Sequence, residues 1–304
     1  MAEPLIEAVP NFSEGTDLAA IERIRSAMAA VGGALLLDLH SDRDHNRSVI
    51  TLAGPPHAVL ESLLRGAEQA VALIDLNRHT GVHPRIGAAD VIPLVPLQNA
   101  SLDDCARWAV QLAEQLWQRL RVPAYLYEAA ARSPERRDLA RIRRGQFESL
   151  RLRVVDDPSA RPDIGGPLLH PTAGAAAVGA RDFLIAYNVN LSAADPAAAK
   201  DIARRVRESS GGFPAVKALG VPLASRGLSQ LTMNLTDVER ICPDELMAAI
   251  ERLAAERGLH VVETEIVGLV PRRAFDRAPR FYQRAVNFRP DVILENRLAA
   301  LQSK

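Results

Sequence analysis

The chain has 304 residues, 48% of them hydrophobic, which is enough apolar material for one large domain or two of about 150 residues. Its 37 Lys and Arg balance 37 Asp and Glu. A zero formal charge excludes a global field for nucleic acid or an anionic membrane, while leaving room for a local basic pocket. The start, MAEPLIEAVPNF, has neither a basic region nor an apolar signal-peptide stretch, and no apolar run approaches the ~18 residues needed to span a bilayer, so a cytoplasmic protein is expected. LIEAVPNF (5–12) reads as a strand ended by Pro10, Asn11 and the Ser13-Glu14-Gly15 turn. TDLAAIERIRSAMAAVGG (16–33) has helical spacing, with Thr16 as N-cap and Gly32-Gly33 as the stop. ALLLDLH (34–40) and the β-branched RSVITLAG (47–54) are strands, and residues 55–76 form an amphipathic helix with prolines at its start. ADVIPLVPL (89–97) is a strand interrupted by prolines, which predicts an edge position.

That order, strand, helix, strand, strand, helix, strand, is the split βαβ pattern of a ferredoxin-like α+β sandwich. A helix (101–121), a strand VPAYLYE (122–128) and a basic helical stretch (134–151) decorate it. Residues 155–180, rich in Pro, Gly and Ala without a period, read as a long loop. The order then returns: strand 181–192, helix 196–208 capped by Asp195, strands 213–221 and 228–237, helix 243–258 and strand 260–270, followed by helical pieces over 271–304. The expectation is two ferredoxin-like subdomains, 1–178 and 179–304, joined by a Gly/Pro-rich loop. Cys105 and Cys242 are isolated and form no CxxC; each is read as a small buried hydrophobe, with no zinc site and no disulfide framework.

Chemistry concentrates in four stretches. HTGVHPRIGAADVIP (79–93) sets His79 and His83 four residues apart. On a helix that spacing chelates a metal, but Gly81 and Pro84 oppose a helix and no carboxylate completes a set, so no metal is expected. Two readings stay open: a turn histidine with structural hydrogen bonds, or a general base, since a neutral imidazole near pH 7 accepts a proton from an attacking amine. Arg85 offers a bidentate fork for a carboxylate. LDLHSDRDHNRSV (37–49) gathers Asp38, His40, Asp42, Asp44 and His45 in a turn between strands, with Asn46 and Arg47 opening the next strand; it reads as a solvated turn or as a pocket rim. VPNFSEG (9–15) adds Asn11, Ser13 and Glu14, a weak signal alone. PDIGGPLLHPTAG (162–174) offers many backbone N–H groups, suited to a planar heterocycle or an anion, or to a plain connector. An RNA-binding reading fails, because such modules need aromatic platforms on their strands and 5–12 and 47–54 hold only Phe12.

The stretches VPNFSEG, NRSVITLAGPP, HTGVHPRIGAADVIPLVP, VPAYLYEAAAR, IRRGQFESL, RPDIGGP, GARDFLIAYNVNL, MNLTD and VGLVP run in order from residue 9 to 270. Together they resemble the glutamate formimidoyltransferase family, found alone or as the first half of formimidoyltransferase-cyclodeaminase. The resemblance implies transfer of the formimidoyl group from N-formimidoyl-L-glutamate to tetrahydrofolate as co-substrate, without a metal, in histidine breakdown. It places the catalytic base on His83 and the folate loop on Gly165, Gly166, Pro167, Leu168, Leu169, His170, Pro171, Thr172, Ala173 and Gly174. It implies two ferredoxin-like halves and a homodimer. Because the chain ends near residue 304, it leaves room for a separate cyclodeaminase partner. Two positions depart from the family pattern. Where animal members carry an acid two residues after the LLD aspartate, this chain has His40, so His40, Asp42 or Asp44 is left for the assisting role. Where they carry a tryptophan in the folate loop, this chain has Ala173. On chemical grounds, Asp38, Asp42 or Asp90 would stabilise a cationic amidine, and Asn11, Arg47, Arg85 and Arg181 are candidates to hold substrate. The alternatives are formyl transfer between 5-formyltetrahydrofolate and glutamate, or a folate-binding module without turnover.

Overall fold

The computed structural model describes residues 3–302 and divides into two compact units, one ending at Asp182 and the other beginning at Phe183. The first contains β1 (Leu5–Ala8), β2 (Asn11–Phe12), α1 (Leu18–Ala29), β3 (Leu35–Asp42), β4 (Arg47–Gly54), α2 (Pro56–Leu73), β5 (Ala89–Gln98), α3 (Leu102–Leu120), β6 (Ala124–Glu128), α4 (Leu139–Ile142), α5 (Gln146–Asp156) and β7 (Ala176–Ala180). Its strands form one sheet. β1 and β2 both lie between β4 and β5, as one strand interrupted at Val9-Pro10; β3 pairs with β4, and β7 and β6 extend the sheet beyond β5 in parallel.

Alternation along the strands explains the layering. Ala124 and Leu126 of β6 and Ala176 and Val178 of β7 join the core that includes residues of α1, α2 and α3, while Tyr125, Tyr127, Ala175 and Ala177 face a second apolar cluster with Ile142, Leu150 and Val154. β6 and β7 are therefore buried on both faces, as parallel strands require. Local signals start the helices. Asp17 Oδ1 accepts from the backbone N–H of Ala19 and Ala20, and Ser101 and Asp104 form a reciprocal capping box on α3.

The second unit contains β8 (Ile185–Leu191), α6 (Pro196–Val206), β9 (Val216–Leu223), β10 (Leu228–Leu235), α7 (Pro243–Ala255), β11 (Val261–Val267), α8 (Arg272–Arg277), α9 (Pro279–Gln283) and α10 (Leu294–Gln302). Its antiparallel sheet has the order β11-β8-β10-β9. Counted in chain order, that is fourth, first, third, second, and β5, β1/β2, β4 and β3 of the first unit repeat it. Tyr187, Val189, Leu231 and Met233 meet Ile202, Val206, Leu246 and Ile250 of the helices in one core.

Four expectations are corrected. β5 is central, not an edge: Pro93 lacks its donor on the side where the neighbouring strand breaks at Val9-Pro10, and the register shifts between Leu5 and Ile6, opposite Pro96. Residues 176–180 are strand β7, invisible to propensity because AAVGA carries one β-branched residue and packs by being small. The α1 cap is Asp17; Thr16 instead donates to Glu14 Oε1 through both its backbone N–H and its hydroxyl. Cys105 is buried as expected, but Cys242 is exposed at the head of α7.

Candidate active site

Three segments of the first unit converge where β2 ends, β3 turns into β4, and the chain enters β5. Two glycines permit the approach. A Cβ on Gly15 would sit 2.2 Å from Asp42 O, and one on Gly81 would sit 2.5 Å from His45 O. Asn46 ties the segments together: its Oδ1 accepts from Gly15 N at 2.8 Å and its Nδ2 donates to Thr80 O at 2.7 Å. Between them lies a crevice of about 10 Å³ lined by Ser13, His45, Asn46, Arg47, His79, His83, Arg85 and Asp90. A space that small holds at most about one water. A larger cavity of about 220 Å³ lies against α2 and α3, but its lining of Leu64, Arg65, Glu68, Arg119 and Leu120 carries no convergent chemistry.

The two histidines are held differently. His79 is clamped: its Nε2 lies 3.0 Å from Asn46 O and its Nδ1 accepts from Arg85 Nε at 3.0 Å. That pairing makes Nε2 the protonated nitrogen. His83 is half-buried and stacks on the His45 ring, centroids 5.6 Å apart. Its Nε2 lies 2.8 Å from Arg47 Nη1, and its buried Nδ1 has no hydrogen-bond partner among the described residues. Loss of solvent first, then the charges of Arg47 and Arg143, hold the His83 pKa well below its usual 6.5. His79 is also lowered, again chiefly by burial. Both rings are neutral at pH 7.

Three arginines surround this pair, and each has a different partner. Arg85 is buried and turned inward, with Nη1 and Nη2 donating to the two Glu148 carboxylate oxygens at 2.8 and 2.6 Å, and Nη1 also to Gln146 Oε1. Arg143 pairs with Asp90, both largely buried, and Asp90 Oδ1 also accepts from the backbone N–H of Ile86 and Gly87. Among the described residues, the side-chain hydrogen-bond partner of Arg47 is the imidazole of His83, and burial together with Arg143 lowers its pKa to about 10, against the opposing pull of Asp90 and Asp42. It stays protonated at neutral pH.

The other expected residues lie around this centre. His40 sits on β3 in register with Val49, and Asp42 Oδ1 accepts from His45 N, closing the turn. Neither lines the crevice. Asn11 Nδ2 donates to Val9 O, and Arg181 Nη1 donates to Asp182 O. The 165–174 loop reaches the site through its end: Gly174 bridges to Gly87, Ala173 O accepts from Ala88 N, and Thr172 O accepts from Leu76 N. Within it, Gly165, Gly166 and Gly174 take positive φ, His170 Nδ1 accepts from Ala173 N, Ala173 is buried, and Leu168 is exposed. Sequence reasoning missed Arg143, Gln146 and Glu148, which sit in the quoted stretch IRRGQFESL without any local mark of a partner more than 50 residues away. Among the described residues, no group of three His, Cys, Asp or Glu side chains is placed to hold a metal ion, and no helix is long and apolar enough to cross a membrane.

Known protein families and sequences match the chain over nearly its whole length. Residues 5–181 match the formiminotransferase domain, N-terminal subdomain, and residues 186–298 match the formiminotransferase domain. The glutamate formimidoyltransferase of Thermoplasma acidophilum is 40% identical over 295 residues, covering 97% of each chain, and that of Streptococcus pyogenes serotype M1 is 38% identical, covering 97% of this chain and 98% of its own. The formimidoyltransferase-cyclodeaminase of Gallus gallus is 39% identical over 91% of this chain, which spans 52% of that longer protein. Two matched subdomains and near-complete coverage at such identity place the chain in the glutamate formimidoyltransferase family of transferases.

Proposed function

We propose that the protein transfers the formimidoyl group of N-formimidoyl-L-glutamate to tetrahydrofolate, with His83 as the general base. The observation that carries this reading is a neutral, half-buried imidazole at position 83, its Nε2 an acceptor, in a crevice that also holds a cation for a substrate carboxylate. The folate N5 attacks the formimidoyl carbon, and a C–N bond forms. The N5 proton passes to His83, which returns it to the glutamate nitrogen as the original C–N bond breaks. A positioned base contributes about 10²–10⁴-fold, and holding two substrates together contributes more.

Arg47 is assigned to a substrate carboxylate. Arg85 is assigned to position His79 and the 79–85 turn, because Glu148 already occupies its fork. Asp90, the carboxylate that lines the crevice, is assigned to oppose the charge of the reacting amidine while anchoring Arg143 and the 86–87 backbone. The loop from Gly165 to Gly174 is read as the folate cradle and His40 as a rim residue, with Asp42 shaping the turn that presents Arg47. The strand order of both units is read as two ferredoxin-like halves; the expected boundary at 178/179 would fall inside β7, and the compact units divide instead between Asp182 and Phe183. A homodimer in the cytoplasm is the expected assembly.

The test mixes purified protein with formimidoylglutamate and tetrahydrofolate and follows glutamate release. His83→Ala is expected to lower kcat/KM at least a hundredfold with folate still bound, and His79→Ala to cost less. Equal activity of the His83 variant, or the reverse ranking, removes the base assignment. Folate binding without any glutamate release would leave only a binding module.

A further inference from the structure

We propose that Arg47 is a substrate-operated gate on His83: in the free enzyme its guanidinium caps the imidazole's acceptor nitrogen, and a carboxylate of the incoming amino-acid substrate draws it away and frees the base. This rests on the reading of the site as a formimidoyltransferase centre.

The argument begins with hydrogen-bond chemistry. A guanidinium is a donor only, so the Nη1 to Nε2 contact of 2.8 Å puts the lone pair on Nε2 and the proton on Nδ1. Nδ1 is buried without a partner among the described residues, so it offers neither a lone pair nor a route for a proton. Both nitrogens are therefore closed to an attacking amine, and a crevice of about 10 Å³ leaves no room for one. As it stands, the site has its base in place and cannot use it.

The partners of the three arginines identify the movable part. Arg85 is held by Glu148 and Arg143 by Asp90, each a charged pair. Among the described residues no carboxylate forms an ion pair with Arg47, whose hydrogen-bond partner is a neutral ring. A carboxylate offers the guanidinium a full negative charge and a second parallel hydrogen bond, which a single neutral ring nitrogen lacks, so a substrate carboxylate outcompetes the imidazole. The charged and titratable groups acting on His83 are Arg47 from β4, Arg143 from the chain after α4 and His45 from the β3–β4 turn; Asp90 from β5, which lines the same crevice, and Asp42 from the end of β3 oppose Arg47's charge. Removing Arg47's donor and neutralising its charge both raise the affinity of His83 for a proton. Binding and basicity are thus coupled through one side chain, and the base is exposed only when there is a donor to act on.

The experiment follows His83 by nitrogen-15 NMR of histidine-labelled protein, using L-glutamate as the probe carboxylate. The free protein should give the Nδ1–H tautomer titrating below pH 6.5, and saturating L-glutamate should move the His83 midpoint upward. In Arg47→Gln the midpoint should already be raised and should not respond, while the Kd for L-glutamate rises at least tenfold. Arg47→Lys, which keeps the charge and loses the fork, should fall between. In turnover, the acid limb of kcat should lie at higher pH than that of kcat/KM, and the separation should vanish in Arg47→Gln. Calorimetrically confirmed glutamate binding with an unmoved His83 titration overturns the gate but leaves the transferase reading, as does unchanged glutamate affinity in Arg47→Gln. A protein that neither binds glutamate nor turns over formimidoylglutamate overturns both.

Discussion

At the residue scale, the buried charges around His83 differ in how far water can reach them, and this sets the cost of removing each. The Asp90 and Arg143 side chains are 2% and 12% exposed, whereas Glu148, which pairs with Arg85, is 56% exposed. Breaking a buried pair from one side strands a charge at a cost of roughly 3–5 kcal/mol, while a pair open to solvent is worth about 1 kcal/mol. Asp90→Asn is therefore expected to cost several times more folding stability than Glu148→Gln in denaturant titrations. Equal losses would mean that Asp90's backbone bonds, which an asparagine can keep, dominate its role. Glu148→Gln should instead show in catalysis, because it loosens the arginine that holds His79.

At the element scale, the site depends on how closely three backbone segments approach. The 79–83 turn meets the β3–β4 turn at Gly81, where an added methyl would press on the His45 carbonyl at 2.5 Å. Backbone cannot yield there as a flexible side chain would. Gly81→Ala is expected to shift His83 relative to Arg47 and lower kcat/KM by about 10²-fold, the scale of a misplacement of about 1 Å, with only a small change in Tm. A large fall in Tm with intact specific activity would show that Gly81 serves the fold and not the site. The prolines of β5 follow the same logic of backbone fit: Pro93 is tolerated inside the sheet because its missing donor faces the break in the neighbouring strand.

At the scale of the whole molecule, pH sums the half-buried histidines. His79, His83 and His170 are all lowered from 6.5, each chiefly by loss of solvent. Unfolded histidine takes up its proton near pH 6.5, before the folded state does. Stability is therefore fully present above about pH 6.5 and is lost as pH falls from there through the folded midpoints. The lowered carboxylates, including Glu148 and Glu263, act later, since their unfolded counterparts protonate only near 4.5. Tm is expected to fall between pH 7.5 and 5.5, and His83→Gln should flatten that fall. A Tm that is level or rises over this range would contradict the burial of these rings as neutral species.

The order of strands and helices was legible because periods of 2 and 3.6 are written in local hydrophobicity, as in TDLAAIERIRSAMA and LSQLTMNL. β7 was not, because a strand of alanines built to sit between packed layers has no pattern of its own. His83 stood out through its proline, arginine and glycine neighbours and through a motif shared with a family. Its neighbours Arg143 and Glu148 did not, since an ion pair spanning more than 50 residues leaves no trace in spacing. Sequence by itself determined most of the element order, the family and the segment proposed to carry the base. Only the tertiary structure decided which arginines are held by carboxylates and which meets a neutral ring, because charge pairing is a matter of distance and burial, and the fold alone sets both.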